Sequence, residues 1–220
     1  MHKVFVFAFN CEAATLLPHI VSSRLGDRNT VLLLSPAGSS RDNMVVAKVG
    51  SFEMLVDMLR ERGIDLEFED RQIHLSSFAE AVSEIALTLK QTGADQLLID
   101  LADALPLLAL EIYTATAVYA STLDSGRRKK LQCIAPGPSG SINVFVPVFP
   151  LSRFVSLLEE LREHPDATLN ELQVVLKRHP STLSRQIGRA KECSLVEKKE
   201  GSYKLTEFGE VALKVFLGPG

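Results

Sequence analysis

Polar and cationic side chains lie along one face of a short helical pattern near the end of this 220-residue chain. Leu183, Ile187 and Ala190 recur at helical spacing and predict a single buried stripe. The opposite face carries hydroxyl, amide and guanidinium groups, which contact phosphates and base edges when a helix lies in the major groove of DNA. The candidate DNA-contacting residues on this face are Ser181, Thr182, Ser184, Arg185, Gln186 and Arg189.

A second short helix is predicted before this one, because Leu169, Leu172 and Leu176 also share one helical face. The segment Arg178–Ser181 predicts a sharp turn, since proline disfavours the helical region for the residue before it and suits the first turn of a new helix. From Lys177 to Lys199 there are seven basic and two acidic residues, although the chain has a net charge of -3. This indicates a DNA-binding helix-turn-helix, and a solvated helical hairpin without nucleic acid is the alternative.

Two short β-prone runs follow the second helix and flank Gly201, which predicts a hairpin. Its position makes it a wing, whose lysines Lys198, Lys199 and Lys204 are candidate phosphate contacts. A last helical pattern runs from Thr206 to Leu217. The pattern SxLSRxIxxAxxxxLVxxxxGxYxLTxxG resembles winged helix-turn-helix transcriptional regulators, and the resemblance covers about the last seventy residues. It implies double-stranded DNA as a partner.

The first part of the chain alternates short apolar runs with helical patterns, which predicts a mainly parallel sheet covered by helices on both faces. Its last two runs are joined by a turn too short for a helix, so the sheet is expected to end in an antiparallel hairpin. The predicted fold class is therefore α/β, a Rossmann-like sheet with a terminal hairpin, plus a C-terminal winged helix-turn-helix domain. The predicted strands are Lys3–Phe9, Thr30–Leu34, Ile64–Phe68, Gln96–Ile99, Leu131–Ala135 and Ile142–Val148.

Two domains are predicted, residues 1–150 for ligand sensing and dimerisation and residues 151–220 for DNA binding. The first contains 13 basic and 17 acidic residues and the second 11 basic and 10 acidic residues, so only the second suits nucleic acid. The segment 104–120 is apolar nearly all round, and such a helix must be covered by its own sheet and by something else. A partner subunit is one such cover. A central core helix of a monomer is the alternative.

In a doubly wound sheet, ligands bind beyond the carboxyl ends of the strands. Those ends are expected at Asn10, at the loop Ser35–Arg41 and at Asp100–Ala104. Ser39 and Ser40 offer amides and hydroxyls to a phosphate, and Arg41 can pair with it. An ordinary turn with a helix N-cap is the alternative for this loop. The chain contains no GxGxxG and no GxxxxGK[ST] motif. The sequence therefore does not predict a dinucleotide cofactor or a P-loop.

The order of these features resembles the archaeal CRISPR-associated Rossmann fold (CARF) transcriptional regulators. The shared features are a Phe-Asn dipeptide after strand one, the SPAGSSR loop after strand two, an apolar helix after strand four and a C-terminal winged helix. The resemblance implies a homodimer formed through that apolar helix, with a cyclic oligoadenylate such as cyclic tetra-adenylate as effector. The implied ligand contacts are Phe9, Asn10, Ser35, Ser39, Ser40, Arg41, Asp100, Ala102 and Asp103.

The chain departs from that family after strand four. Many members have a glycine-rich stretch with a basic residue there, whereas this chain has Ala102 and the acidic Asp103, which would repel a phosphate. A domain that serves mainly for dimerisation is therefore the alternative.

Other function classes lack their sequence signals. Three scattered cysteines do not suggest a disulfide framework or a zinc site, the five histidines lack ligand spacing, and no GxSxG is present. Segment 104–120 contains Pro106 and Glu111, so it is not expected to span a membrane. We expect a cytoplasmic regulator without a metal, cofactor or catalytic residue. The alternatives are a ring nuclease that cleaves cyclic oligoadenylate with Ser39, Ser40 and Arg41, and a protein-interaction module.

Overall fold

The structure is a computed structural model that describes residues 1–9, 12–21, 28–37, 43–102, 104–124, 126, 130–137 and 140–218. The chain divides into two compact units, Met1–Val146 (unit 1) and Pro147–Gly220 (unit 2). This division lies four residues before the domain boundary predicted at 150/151.

Unit 1 is built on a six-stranded sheet with the order β3-β2-β1-β4-β5-β6. The first five of these strands along the chain pair in parallel, and β6 is antiparallel to β5. The prediction of a Rossmann-like parallel sheet that ends in an antiparallel hairpin is confirmed. The strands are β1 (His2–Ala8), β2 (Arg28–Pro36), β3 (Leu66–Ile73), β4 (Gln96–Asp100), β5 (Leu131–Gly137) and β6 (Gly140–Asn143).

Helices connect the parallel strands. Strand β1 is buried continuously from Val4 to Ala8, as expected for a strand covered on both faces. Phe7 of this strand packs on Phe52, with ring centroids 5.8 Å apart. The helices are α1 (Leu16–Val21), α2 (Asn43–Glu61), α3 (Phe78–Gln91) and α4 (Pro106–Thr122), and a 3-10 turn at Ala13–Thr15 precedes α1. None of the helices in the described ranges is long and apolar enough to cross a membrane.

All six strands differ somewhat in extent from the predicted ranges, and the third and the sixth differ most. Strand β3 forms one edge of the sheet and continues to Ile73, since it stays paired with β2 as far as Pro36 and Ile73. Exposed charged residues pair along this edge, Arg28 of β2 with Glu67 at 2.9 Å and Arg71 with Glu69 at 3.2 Å. The strand predicted at Ile142–Val148 is wrong beyond Asn143, where β6 ends. Val144 still donates to the Cys133 carbonyl at 2.8 Å, but Pro147 has no N–H to continue a ladder.

Unit 2 combines four helices with a small antiparallel sheet of order β7-β9-β8. Its core contains Leu151, Leu157, Leu172, Leu183 and Ile187, all buried. A 3-10 turn, Leu151–Arg153, opens the unit. The elements that follow are α5 (Val155–Glu163), β7 (Ala167–Thr168), α6 (Leu169–Leu176), α7 (Pro180–Glu192), β8 (Val196–Lys199), β9 (Ser202–Leu205) and α8 (Glu207–Leu217).

The turn between α6 and α7 follows from its residues. Helix α6 begins with a capping box in which the Thr168 side chain accepts from the backbone of Glu171, and it ends at Lys177 in the left-handed conformation, φ 49°. Pro180 then occupies the first turn of α7, where its missing N–H is not needed. The two predicted helices and the sharp turn between them are present.

Gly209 lies where α8 passes close to the backbone before β8. Its N–H donates to Thr206 Oγ1 at 3.0 Å, which caps the helix. A Cβ at this position would lie 2.1 Å from the carbonyl oxygen of Leu195. Because that oxygen belongs to the backbone, α8 or the segment before β8 would have to move.

Replacing Gly209 by alanine is therefore expected to lower the free energy of unfolding by about 1 to 3 kcal/mol, the usual cost of overpacking. Gly188→Ala in α7 is the matched control, because a Cβ there would meet nothing within 4 Å. That control should stabilise the helix by up to about 1 kcal/mol. Denaturant unfolding measures both, and equal unfolding free energies for the two variants would contradict the close approach.

Candidate functional site

Helix α7 presents its polar face to solvent. Leu183, Ile187 and Ala190 are buried beneath it and anchor the helix on unit 2. Arg185 also donates from Nε to the Ser181 carbonyl at 3.1 Å along the same helix. Five of the six residues predicted on this face are exposed, namely Ser181, Thr182, Ser184, Arg185 and Arg189. These five residues are thus brought together on one accessible face of α7.

Gln186 has a different environment. A guanidinium N–H of Arg178 donates to its side-chain oxygen, and its amide nitrogen donates to the Arg153 carbonyl at 2.5 Å. Arg178 donates a further hydrogen bond to Ser156 Oγ at 2.8 Å. The base contact predicted for Gln186 would compete with these two hydrogen bonds. In this structure Gln186 instead fixes α7 against the opening turn of unit 2.

An open cavity of about 340 Å³ lies on the same flank of α7. Sequence analysis missed two of its arginines, Arg153 and Arg178, because they lie outside the predicted recognition helix. Arg153 directly precedes Phe154, and Arg178 lies in the turn before α7. Neither position belongs to a residue pattern that predicts a binding site. The cavity is lined by Pro150, Arg153, Phe154, Arg178, Thr182, Arg185, Gln186 and Arg189.

The predicted wing lysines lie on the β8–β9 hairpin. Lys204 pairs with Glu197 at 2.9 Å, and this hydrogen bond, followed by the attraction between the charges, raises the pKa of Lys204. Lys198 Nζ lies 5.7 Å from the centroid of the Tyr203 ring. Lys199 is exposed. A phosphate contact by Lys204 must therefore compete with Glu197, whereas Lys199 stands open to solvent.

The carboxyl ends of β1, β2 and β4 meet at one edge of the sheet in unit 1, because these strands are neighbours in the order β2-β1-β4. Ser35 and Asp100 are buried there and serve the fold: Ser35 Oγ donates to Asp70 at 2.6 Å, and Asp100 accepts from the Ala102 N–H at 2.8 Å. Phe9 is also buried. The predicted ligand contacts Asn10, Ser39, Ser40, Arg41 and Asp103 lie outside the described residues.

Helix α4 has one buried and one exposed apolar side. Leu108 and Ile112 are buried, whereas Leu107 is 56% exposed and Leu110 is 53% exposed. The Tyr113 hydroxyl donates to the Phe145 carbonyl at 2.7 Å, which holds a further exposed apolar residue beside the helix. We call Leu107, Leu110 and Phe145 the α4 surface. Exposed apolar residues grouped in this way mark interaction sites.

Glu111 lies on α4 next to this surface but is only 1% exposed. Its Oε2 atom is buried and has no hydrogen-bond partner among the residues described. Burial raises the pKa of this carboxyl, because the charged form is poorly solvated.

Glu111→Gln is therefore expected to stabilise the protein by about 1 to 3 kcal/mol near pH 8, because it removes a buried carboxylate charge and keeps the shape of the side chain. The raised pKa means that the folded protein holds the Glu111 proton more tightly than the unfolded chain does. The free energy of unfolding therefore falls as the pH rises through and above the titration range of glutamate in the unfolded chain. Near pH 3, below the titration range of glutamate, both states hold the proton and the gain should vanish. Denaturant unfolding at the two pH values measures this, and a gain independent of pH would contradict it.

A cluster of possible metal ligands and a buried cysteine are weaker candidates for a functional site. Glu160, Glu163 and His164 place ligand atoms within 4.8 Å of one another, but His164 Nδ1 already pairs with Glu160 at 2.9 Å and the cluster is largely exposed. Burial raises the pKa of the Cys133 thiol to about 11, so this thiol stays protonated at neutral pH.

Comparison with known proteins leaves the family open. No protein-family model matches the chain, and no curated protein matches it. Among solved structures, the chain is similar to Can2 from Sulfobacillus thermosulfidooxidans, whose structure is in complex with cyclic tetra-adenylate. The sequence identity is 10% and the TM-score 0.39, and the match covers 97% of this chain and 61% of Can2. The chain thus spans less than two thirds of that protein, and a likeness at this level does not define a function.

Proposed function

We propose that the chain is a homodimeric DNA-binding transcriptional regulator of CRISPR-associated genes. Unit 2 acts in this proposal as a winged helix-turn-helix domain, and unit 1 as a CARF-type domain that senses a cyclic oligoadenylate. One observation carries it: α7 exposes Arg185 and Arg189, and among the described residues neither forms an ion pair with a carboxylate.

The arrangement of unit 2 supports DNA as the partner. Helix α7 follows a short turn, is anchored by its apolar stripe and is followed by the β8–β9 hairpin, which is the order of a recognition helix and a wing. Arginine presents a planar fork that matches guanine edges and phosphates. Arg185 and Arg189 are assigned to bases and nearby phosphates, Ser181, Thr182 and Ser184 to the backbone, and Lys198, Lys199 and Lys204 to the wing contacts.

The arrangement of unit 1 supports dimerisation and sensing. The α4 surface is apolar and exposed. The resemblance to CARF regulators implies that the partner subunit packs against this helix. The carboxyl ends of β1, β2 and β4 lie at one edge of the sheet, and doubly wound sheets bind their ligands at such an edge. The proposed effector is cyclic tetra-adenylate, bound across the dimer beyond those strand ends.

Calorimetry of the purified protein with cyclic tetra-adenylate, with and without promoter DNA, tests the proposal. A regulator gives saturable binding to both ligands, and the effector changes the affinity for DNA by the same factor as DNA changes the affinity for the effector. Absence of DNA binding would exclude the regulator. Conversion of the cyclic tetramer to linear product would instead indicate a nuclease.

A further inference from the structure

The cavity beside α7 concentrates positive charge from three separate segments. Arg153 comes from the opening turn, Arg178 from the turn before α7, and Arg185 and Arg189 from α7 itself. None of the described residues that line the cavity is acidic. Within the part of the chain that the structure describes, none of these four arginines is paired with a carboxylate. Four uncompensated guanidinium groups around one space favour an anionic occupant.

The Arg178 side chain and the Arg153 backbone are held in place before any ligand arrives. Arg178 uses one N–H for Gln186 and one for Ser156, which holds its guanidinium group in place. A guanidinium group has five N–H donors, so three remain available on Arg178. Gln186 in turn holds the Arg153 backbone through its amide, so the turn that carries Arg153 is tied to α7.

We propose that this cavity is a binding site for a phosphate group of a nucleic-acid backbone. The proposal deepens the DNA-binding function and rests on it for the source of the phosphate. Forked guanidinium donors match the oxygens of a phosphate, and the Thr182 hydroxyl adds a neutral donor. The cavity also lies on the flank of α7 and is partly lined by the exposed Arg185 and Arg189, where a strand backbone runs when a helix enters a groove. Arg153 and Arg178 thereby become phosphate-binding residues outside the recognition helix.

The test uses the full chain and a short fluorescent duplex of arbitrary sequence, because a phosphate contact does not depend on the operator. Arg153→Ala is the main variant, since the Arg153 side chain is exposed and forms no described structural hydrogen bond. Arg153→Lys keeps the charge, and Arg162→Ala removes an exposed arginine of α5 that does not line the cavity. Affinity is measured over a range of salt concentrations.

We expect Arg153→Ala to reduce the slope of log affinity against log salt by about one, because each phosphate contact contributes about 0.9. If the proteins bind alike at 1 M salt, this corresponds to a loss of about eightfold at 0.1 M salt. Arg153→Lys should restore most of the slope, and Arg162→Ala should leave it unchanged. Unchanged slope and affinity in Arg153→Ala would overturn the proposal, as would an equal effect of Arg162→Ala.

A second measurement distinguishes binding of a phosphate in the DNA backbone from binding of a free phosphate compound. Inorganic pyrophosphate is titrated into the protein without DNA while the melting temperature is followed. Stabilisation of the wild-type protein but not of Arg153→Ala supports the site even if the duplex does not bind, in which case the DNA-binding function alone has failed. If neither the duplex nor pyrophosphate binds, both the function and the site are overturned.

Discussion

Replacing Arg185 and Arg189 together by alanine should weaken DNA binding by about 2 to 6 kcal/mol, since one base-contacting arginine is typically worth about 1 to 3 kcal/mol. This corresponds to at least a thirtyfold loss of affinity. Both side chains are exposed on α7, so their loss should leave the fold intact, which circular dichroism can verify. The two residues are four apart on one helix, and their effects need not be strictly additive.

Lys191→Ala is the matched control for this pair. Lys191 is an exposed cation of the same helix, but with 3.6 residues per turn it lies on nearly the opposite side from Arg189. Gel-shift titrations at fixed salt concentration should give a small loss for Lys191→Ala and the large loss for the double variant. Equal losses would show that α7 attracts DNA only by its net charge, and an unchanged affinity of the double variant would remove this face from the interface.

Replacing Leu107 and Leu110 by aspartate should convert the proposed dimer to a monomer. Burying a leucine side chain contributes about 1.5 to 3 kcal/mol, and an aspartate in the interface adds the cost of an unpaired charge. The loss for two positions on each subunit raises the dissociation constant by more than about a hundredfold. Sedimentation velocity at several protein concentrations measures the change.

Val46→Asp is the control for the dimer. Val46 on α2 is 58% exposed, much as Leu107 is at 56%, but it does not belong to the α4 surface. This variant should remain dimeric. A wild-type protein that is monomeric at all concentrations, or a Val46→Asp variant that dissociates equally, would contradict the assignment of the α4 surface. Because a dimer reads two half-sites, the aspartate pair should also weaken binding to DNA.

The sequence predicted best those elements whose structure is determined by residues close together in the chain. The stripe of Leu183 and Ile187 fixed the face of α7, and the residue types of the turn at Pro180 fixed its start. The extent of β6 was predicted less well, because alternating apolar residues continue past Asn143 while the chain leaves the sheet.

The details of the candidate site depended on contacts between distant residues. Gln186 has the side chain of a base-reading residue, but it is held by Arg153, 33 positions earlier, and by Arg178 from the preceding turn. Ser35 shows the same limit, since its partner Asp70 lies 35 residues away on a neighbouring strand. Neither contact leaves a periodic pattern in the sequence. The cavity with four arginines likewise emerges only when three segments are assembled.

The charged edge of the six-stranded sheet restricts how copies of this protein can associate. An edge strand offers unpaired N–H and C=O groups to any other strand, and alternating charges are a common protection against such growth. Strand β3 carries Glu67, Glu69 and Arg71 along its length, while β6 at the other edge is only four residues long. Parallel in-register pairing of β3 with a second copy would place like charges opposite one another, and pairing at β6 would give a very short ladder. Growth of the sheet from copy to copy is thus restricted at both edges.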